Sequence, residues 1–182
     1  YDLYTILKNV TGSDDQKYQV PIGDDEFLNT LPVTNLSVPV DRDQASKTIA
    51  LNPGEQFVSE LRFTIKKSFV QKNDLAVLAL IAANNWKRPI YFTSTQELEE
   101  LGLDKYVRME GLSYRLVPVE NSNVQLDLSY KNIMSQFAYG NAQQKGVFYD
   151  EENRRHLNSL RQAHAVAALS LAQTNRKDSA RK

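Results

Sequence analysis

The apolar positions of this chain fall into several short patterns, and no single period runs through it. Leu61, Phe63 and Ile65 alternate with Arg62, Thr64 and Lys66, the period-2 signature of a half-buried strand. Ile90-Tyr91-Phe92-Thr93 reads as a buried strand. Residues 113–117, with Leu112, Tyr114 and Leu116 opposing Ser113, Arg115 and Val117, read as another that Pro118 ends. Between the first two, residues 74–83 are apolar almost all round and predict a buried helix. Asn73 caps it, Asp74 sits at the positive end of its dipole, and Asn84-Asn85 ends it. The three strands are expected to share one sheet with this helix packed on it. A helical connection also suits a parallel pair between 61–66 and 90–93. Thr95 caps a second helix over 96–101, which Gly102 stops.

The flanks are less regular. Residues 1–10 suit a short helix or strand, and Gly12-Ser13-Asp14-Asp15 is turn chemistry. Residues 18–22 and 35–40 read as short strands, with Pro21, Pro32, Pro39 and Pro53 at strand ends or edges. Ser129 can cap a helix over 130–138 that Gly140-Asn141 breaks. Asp150 caps a long helix to about residue 175, loaded with Glu151 and Glu152 at its positive end. Asn175 ends it and residues 176–182 start another. The small residues Ala163, Ala165, Ala167, Ala168 and Ala172 suit close helix packing. The fold class is therefore α+β, a mixed small sheet with packed helices, ending in a helical hairpin or a partial tetratricopeptide-like repeat. The expected organisation is a loop-rich, strand-containing segment of the main domain over 1–60, an α/β core over 61–145 and a helical appendage over 146–182.

Composition narrows the function classes. The 182 residues are 41% hydrophobic and 24% charged, with 22 bases balancing 22 acids, which argues against wholesale disorder. The longest charge-free apolar run, residues 75–83, is far short of the ~20 needed to cross a bilayer. Cysteine is absent, so disulfides, thiolate metal sites and thiol nucleophiles are excluded. Residues 1–60 carry ten acids and four bases, net −6, and residues 153–182 carry seven bases and one acid, net +6. The tail reads as a solvated basic helix near an acidic first third, not as a nucleic-acid surface, because no aromatics interleave with its bases. Tyr1 at the start and the basic tail at the end read as the boundaries of a piece of a larger protein.

The chemical inventory is sparse. His156 and His164 stand eight apart, and Glu152 precedes His156 by four, which favours a surface pair over a metal site. No Gly-x-Ser-x-Gly turn and no glycine-rich phosphate loop is present. The doublets Asp14-Asp15 and Asp24-Asp25-Glu26 lack calcium-loop spacing and read as solvated turns. No catalytic residue, metal or cofactor is expected. One run differs: Asn84-Asn85-Trp86-Lys87-Arg88-Pro89-Ile90-Tyr91-Phe92 sets the only Trp beside two bases. The candidate binding residues are Trp86, Arg88, Tyr91, Glu110, Tyr114 and Arg115, since aromatic faces take sugars or peptide side chains and Arg supplies planar donors. In the opposing reading Trp86 plugs the core and Arg88 pairs internally with Glu110.

That run, with Leu101-Gly102-Leu103-Asp104-Lys105-Tyr106 and Glu110-Gly111-Leu112-Ser113-Tyr114-Arg115-Leu116-Val117-Pro118, resembles the soluble C-terminal region of a bacterial family of multi-span membrane proteins of unknown function. Weaker matches at 29–40 and 149–155 extend the resemblance. The membrane part of that family resembles protein O-mannosyltransferases, and tetratricopeptide-like repeats often follow the soluble part. The resemblance implies an extracytoplasmic domain at the periplasmic face of the inner membrane. Its partners would be its own membrane-spanning region and an acceptor protein or glycan, in a glycosyltransferase using a lipid-linked sugar. The catalytic acids of such enzymes lie in the membrane part, so none is carried over to this chain. The competing reading is a protein-interaction module unrelated to sugar transfer.

Overall fold

The computed structural model describes residues 1–10, 19–24, 26–142 and 144–181. The turn expected at 12–15 lies outside the described residues, as do Tyr18 and Asp25. In chain order the elements are α1 (Leu3–Val10), β1 (Gln19–Pro21), β2 (Phe27–Asn29), β3 (Asn35–Pro39), α2 (Arg42–Thr48), β4 (Glu60–Thr64), α3 (Lys72–Asn84), β5 (Tyr91–Phe92), α4 (Gln96–Glu100), β6 (Val107–Glu110), β7 (Ser113–Leu116), α5 (Leu126–Lys131), α6 (Glu151–Gln173) and α7 (Lys177–Ala180). The class is α+β, with a helical hairpin near the C-terminus formed by α6 and α7.

The strands are distributed differently from the expectation. Among the described residues they form three small antiparallel sheets: β1-β2, β3-β4 and β5-β7-β6. β4 and β5 therefore do not pair, in parallel or otherwise, and the single shared sheet is overturned. The partner of β4 is β3, in a register that sets Leu36 against Phe63 and Val38 against Leu61. All four are buried, and stacking apolar pairs on one face is what fixes register. Both outer edges of this pair are occupied. Ser37 donates its backbone N–H to the Tyr1 carbonyl at 2.7 Å. On the far side the buried Tyr106 hydroxyl accepts from the Arg62 N–H at 2.9 Å and donates to Glu120 at 3.0 Å. A side chain thus satisfies a strand edge that would otherwise invite another strand.

The helices also differ in detail. α3 starts before the predicted cap: Asp74 accepts from the Gln71 N–H at 2.9 Å and binds Lys67 at 3.0 Å, so Gln71, not Asn73, is the N-cap. Leu78 and Ile81 face the core, but Leu80 is 65% exposed. The helix is one-sided rather than buried all round, and it packs against α1. Asn85 ends it in the left-handed region. α2 has no counterpart in the sequence reading; Asp41 caps it through the Gln44 N–H. Thr95 stands at the start of α4 without a capping bond. Gly102, at φ 75°, ends that helix where a Cβ would lie 2.2 Å from the Thr64 carbonyl oxygen, so only glycine permits the close approach to β4. Ser129 does not cap α5. Gln125 does, and Ser129 is buried, its hydroxyl accepting from the Gly111 N–H and donating to the Met109 carbonyl. α5 then passes into a π-helical turn over Asn132–Gln136. Asp150 caps α6 as expected, accepting from the Asn153 N–H at 2.8 Å.

The main core gathers α1, β3, β4, α3 and α4 around Leu3, Leu61, Leu78, Leu98 and Leu101, joined by Tyr106 just before β6 and Val117 just after β7 of the three-stranded sheet. A smaller cluster of Met109, Val124 and Ala163 joins that sheet to α6. The basic tail is answered by Asp127, which binds Arg176, and by α6's own Glu151 and Glu152, which bind Arg155.

Candidate functional site

The distinctive chemistry lies on one face of the β5-β7-β6 sheet. A two-residue hairpin, Gly111-Leu112, joins β6 to β7, with Gly111 first at φ 79°, the position that favours glycine in such turns. The hairpin sets Glu110 opposite Ser113 and Arg108 opposite Arg115, and β5 sets Tyr91 opposite Arg115. Facing residues project to the same side of a sheet. Tyr91, Arg115, Arg108 and Glu110 therefore share one face, while Phe92, Tyr114 and Met109 share the other.

Three of these side chains are almost wholly enclosed: Arg108 and Glu110 are each 1% exposed and Arg115 is 7%. Glu110 uses both oxygens. Its Oε1 accepts from Arg108 Nε at 3.1 Å and Nη2 at 2.8 Å. Its Oε2 accepts from the Tyr91 hydroxyl at 2.8 Å and faces Arg115 Nη1 at 3.5 Å. From the connection between α2 and β4, Glu55 reaches Arg108 at 3.5 Å. Glu55 in turn accepts from the Asn52 N–H and Nδ2 and from the Ser122 hydroxyl. Two guanidinium groups thus meet two carboxylates, which is how charge survives burial.

The electrostatics favour the charged pairs. Burial opposes ionisation of Glu55, but the bonds from Ser122 and Asn52 and the charge of Arg108 outweigh it and hold the carboxyl below its ordinary range. Burial, followed by the Glu110 carboxylate, holds the Tyr91 hydroxyl protonated above its ordinary range. One polar atom is left over. Arg115 Nε is buried and has no hydrogen-bond partner, alone among the described side-chain atoms. The Tyr91 ring covers the same guanidinium, its centroid 5.6 Å from the guanidinium carbon.

The six candidate residues divide. Tyr91, Glu110 and Arg115 come together. Tyr114 lies on the opposite face, against Met109, Val124 and Ala163. Trp86 is 7% exposed, and its Nε1–H donates to the Pro39 carbonyl at 3.1 Å. Its φ of 60° follows Asn85 at 43°, two left-handed non-glycine residues in a row, held by the burial of the indole. Arg88 is exposed and makes no pair with Glu110. The Asn84 side chain explains this: its Nδ2 donates to the Arg88 carbonyl at 2.7 Å and its Oδ1 accepts from the Arg88 N–H at 3.2 Å. The Asn-Asn-Trp-Lys-Arg-Pro run is thus a clamped turn that plugs the core with Trp86 and leads into β5. The anticipated Arg88–Glu110 pair is corrected to Arg108–Glu110–Arg115.

Arg108, Glu55, Asn52 and Ser122 lie outside the candidate set that the sequence suggests. The signal for Arg108 was present in the alternation of Val107-Arg108-Met109-Glu110 with a glycine turn next to it. Glu55 and Ser122 lie in connections, and their convergence carries no sequence signature. Elsewhere, His156 lies 3.6 Å from Glu152, both well exposed, and His164 Nε2 lies 3.1 Å from the Tyr139 hydroxyl. Among the described residues, no group of three or more Asp, Glu or His side chains is placed to hold a metal ion, and no helix is long and apolar enough to cross a membrane.

Residues 1–136 match the family model of the TMEM260-associated domain 2. The chain belongs to this family. No curated protein and no solved structure matches the chain. The span matched by TMEM260-associated domain 2 contains the whole Arg–Glu cluster and the clamped turn, and stops before α6 and α7.

Proposed function

We propose that this chain is a non-catalytic, extracytoplasmic domain of a multi-span membrane protein that transfers sugar from a lipid-linked donor. The observation that carries the reading is membership of TMEM260-associated domain 2, which ties the chain to a membrane-associated parent. The resemblance of residues 84–92 and 101–118 to the soluble part of O-mannosyltransferase-like membrane proteins supports the proposed reaction class and periplasmic side. The cluster supports a non-catalytic role for the chain itself. Glu110 faces four donor atoms and Glu55 is held ionised, so both acids serve as anchors for cations. The domain's partners are its own membrane-spanning region and the acceptor protein or glycan. Tyr91, 47% exposed, is where the cluster meets solvent.

Membrane placement has a direct test, because the chain has no cysteine and Arg88 is exposed. Arg88→Cys, introduced into the full-length parent, should react with a membrane-impermeant maleimide in intact spheroplasts, above the labelling of the unmodified parent. Labelling only after lysis would place the domain on the cytoplasmic side and overturn the reading.

A further inference from the structure

The long helix α6 carries a second surface, independent of the Arg–Glu cluster and largely outside the family match. Between α6, the end of α5 with its π-helical turn, and α7 runs a groove of about 280 Å³. Ile133 and Met134 line it from the π-helical turn, His164, Ala168 and Leu171 from α6, and Ala180 from α7. Met134 is 47% exposed. The volume is just below the range of small-molecule pockets, and it suits a few apolar side chains of a partner helix laid along the groove.

The rim says what chemistry that partner carries. Arg161 lies one turn before His164, Lys177 lies one turn before Ala180, Arg181 follows Ala180, and Lys131 follows Tyr130. All four are exposed, and none makes an ion pair among the described residues. The neighbouring Asp127 is already engaged by Arg176 at 2.6 Å, which leaves Asp178 as the free acid of α7. A mostly apolar groove whose helices carry uncommitted, exposed cations within a turn of its lining residues is complementary to an amphipathic helix whose apolar stripe is flanked by Asp and Glu. We infer that the α5–α6–α7 groove docks an acidic amphipathic helix of a partner protein.

The test is fluorescence anisotropy on the 182-residue chain with two labelled peptides of about 16 residues, long enough to hold a helix. Both carry leucines at positions i, i+4 and i+7; one flanks them with glutamate, the other with lysine. The Glu-flanked peptide is expected to saturate near or below about 100 μM and to weaken severalfold as salt rises, with the Lys-flanked peptide at least about tenfold weaker. Lys177→Glu/Arg181→Glu changes only exposed side chains and should reverse the preference. Ala168→Glu, which fills the groove with an acid, should abolish binding of the Glu-flanked peptide. Three results would each overturn the inference: no saturable binding of that peptide up to about 1 mM, equal binding of both peptides, or unchanged preference in the Lys177→Glu/Arg181→Glu protein. A concentration-dependent dimer that Ala168→Glu disrupts would also overturn it, by showing that a second copy occupies the groove.

Discussion

Removing the Glu110 carboxylate should strip a large share of the stability from the domain. Arg108 and Glu110 lie 2.8 Å apart at 1% exposure, with Arg115 at 3.5 Å from the same carboxylate. At an effective dielectric of about 20, unit charges about 3 Å apart attract by about 5–6 kcal/mol, which repays much of the cost of desolvation. Glu110→Ala leaves Arg115 without an acidic partner and Arg108 with Glu55 alone, at 3.5 Å. It also deprives the Tyr91 hydroxyl of its acceptor. An enclosed charge stranded in this way costs about 3–5 kcal/mol, a large share of the about 5–15 kcal/mol available to a domain. Urea melts followed by circular dichroism measure the loss. The companion protein is Arg108→Met/Glu110→Leu/Arg115→Met. Replacing buried ions together with apolar side chains of similar volume is often near neutral, and Glu55, the carboxylate that remains, keeps its bonds from Asn52 and Ser122, so the triple variant should lose less than Glu110→Ala alone. A single-variant loss under about 1 kcal/mol, or a triple variant less stable than the single, would show that the Glu110 carboxylate does not hold the two guanidinium groups in the fold.

Leu78→Ala should cost about 2–5 kcal/mol in the same melts, because Leu78 is wholly buried on the inner side of α3; a loss below about 1 kcal/mol would show that this face is not core. Arg88→Ala should change stability by no more than about 0.5 kcal/mol, since only the backbone of Arg88 is engaged, by Asn84; unfolding of that variant would contradict the corrected pairing. The depressed pKa of Glu55 gives a signed pH dependence. Its contribution is fully present above the unfolded-state value of about 4.3 and is lost as pH falls through the lower folded-state value. Thermal midpoints should fall with acidification below that pH, and Glu55→Gln should flatten that part of the curve; an unchanged slope in the variant would remove Glu55 as its source.

The sequence carried local structure better than pairing. The alternation of Leu61, Phe63 and Ile65 marks a strand whatever sheet it joins. Its partner is decided by Leu36 and Val38 across an intervening helix, and no local pattern connects them. That helix, α2, buries only Ala45, so it lacks the apolar stripe by which helices are read. The same limit shaped the site. Trp86 and Arg88 stood out by composition, yet an Asn84 side-chain clamp sends one inward and leaves the other outside. Arg108 was legible from alternation within β6, whereas Glu55 reaches it over 53 residues of chain. Burial of ionised groups is a property of the assembled fold, and single segments do not announce it.

In the proposed function this chain assists a membrane-embedded sugar transfer without performing it. The most direct measurement is transfer from a lipid-linked sugar donor to an acceptor peptide by the reconstituted full-length parent, by the parent lacking this domain, and by the purified 182-residue chain. Turnover by the parent is expected, with a marked loss on deletion of the domain and none by the chain alone. Turnover by the isolated chain, or transfer by the deleted parent at the undiminished rate, would contradict it.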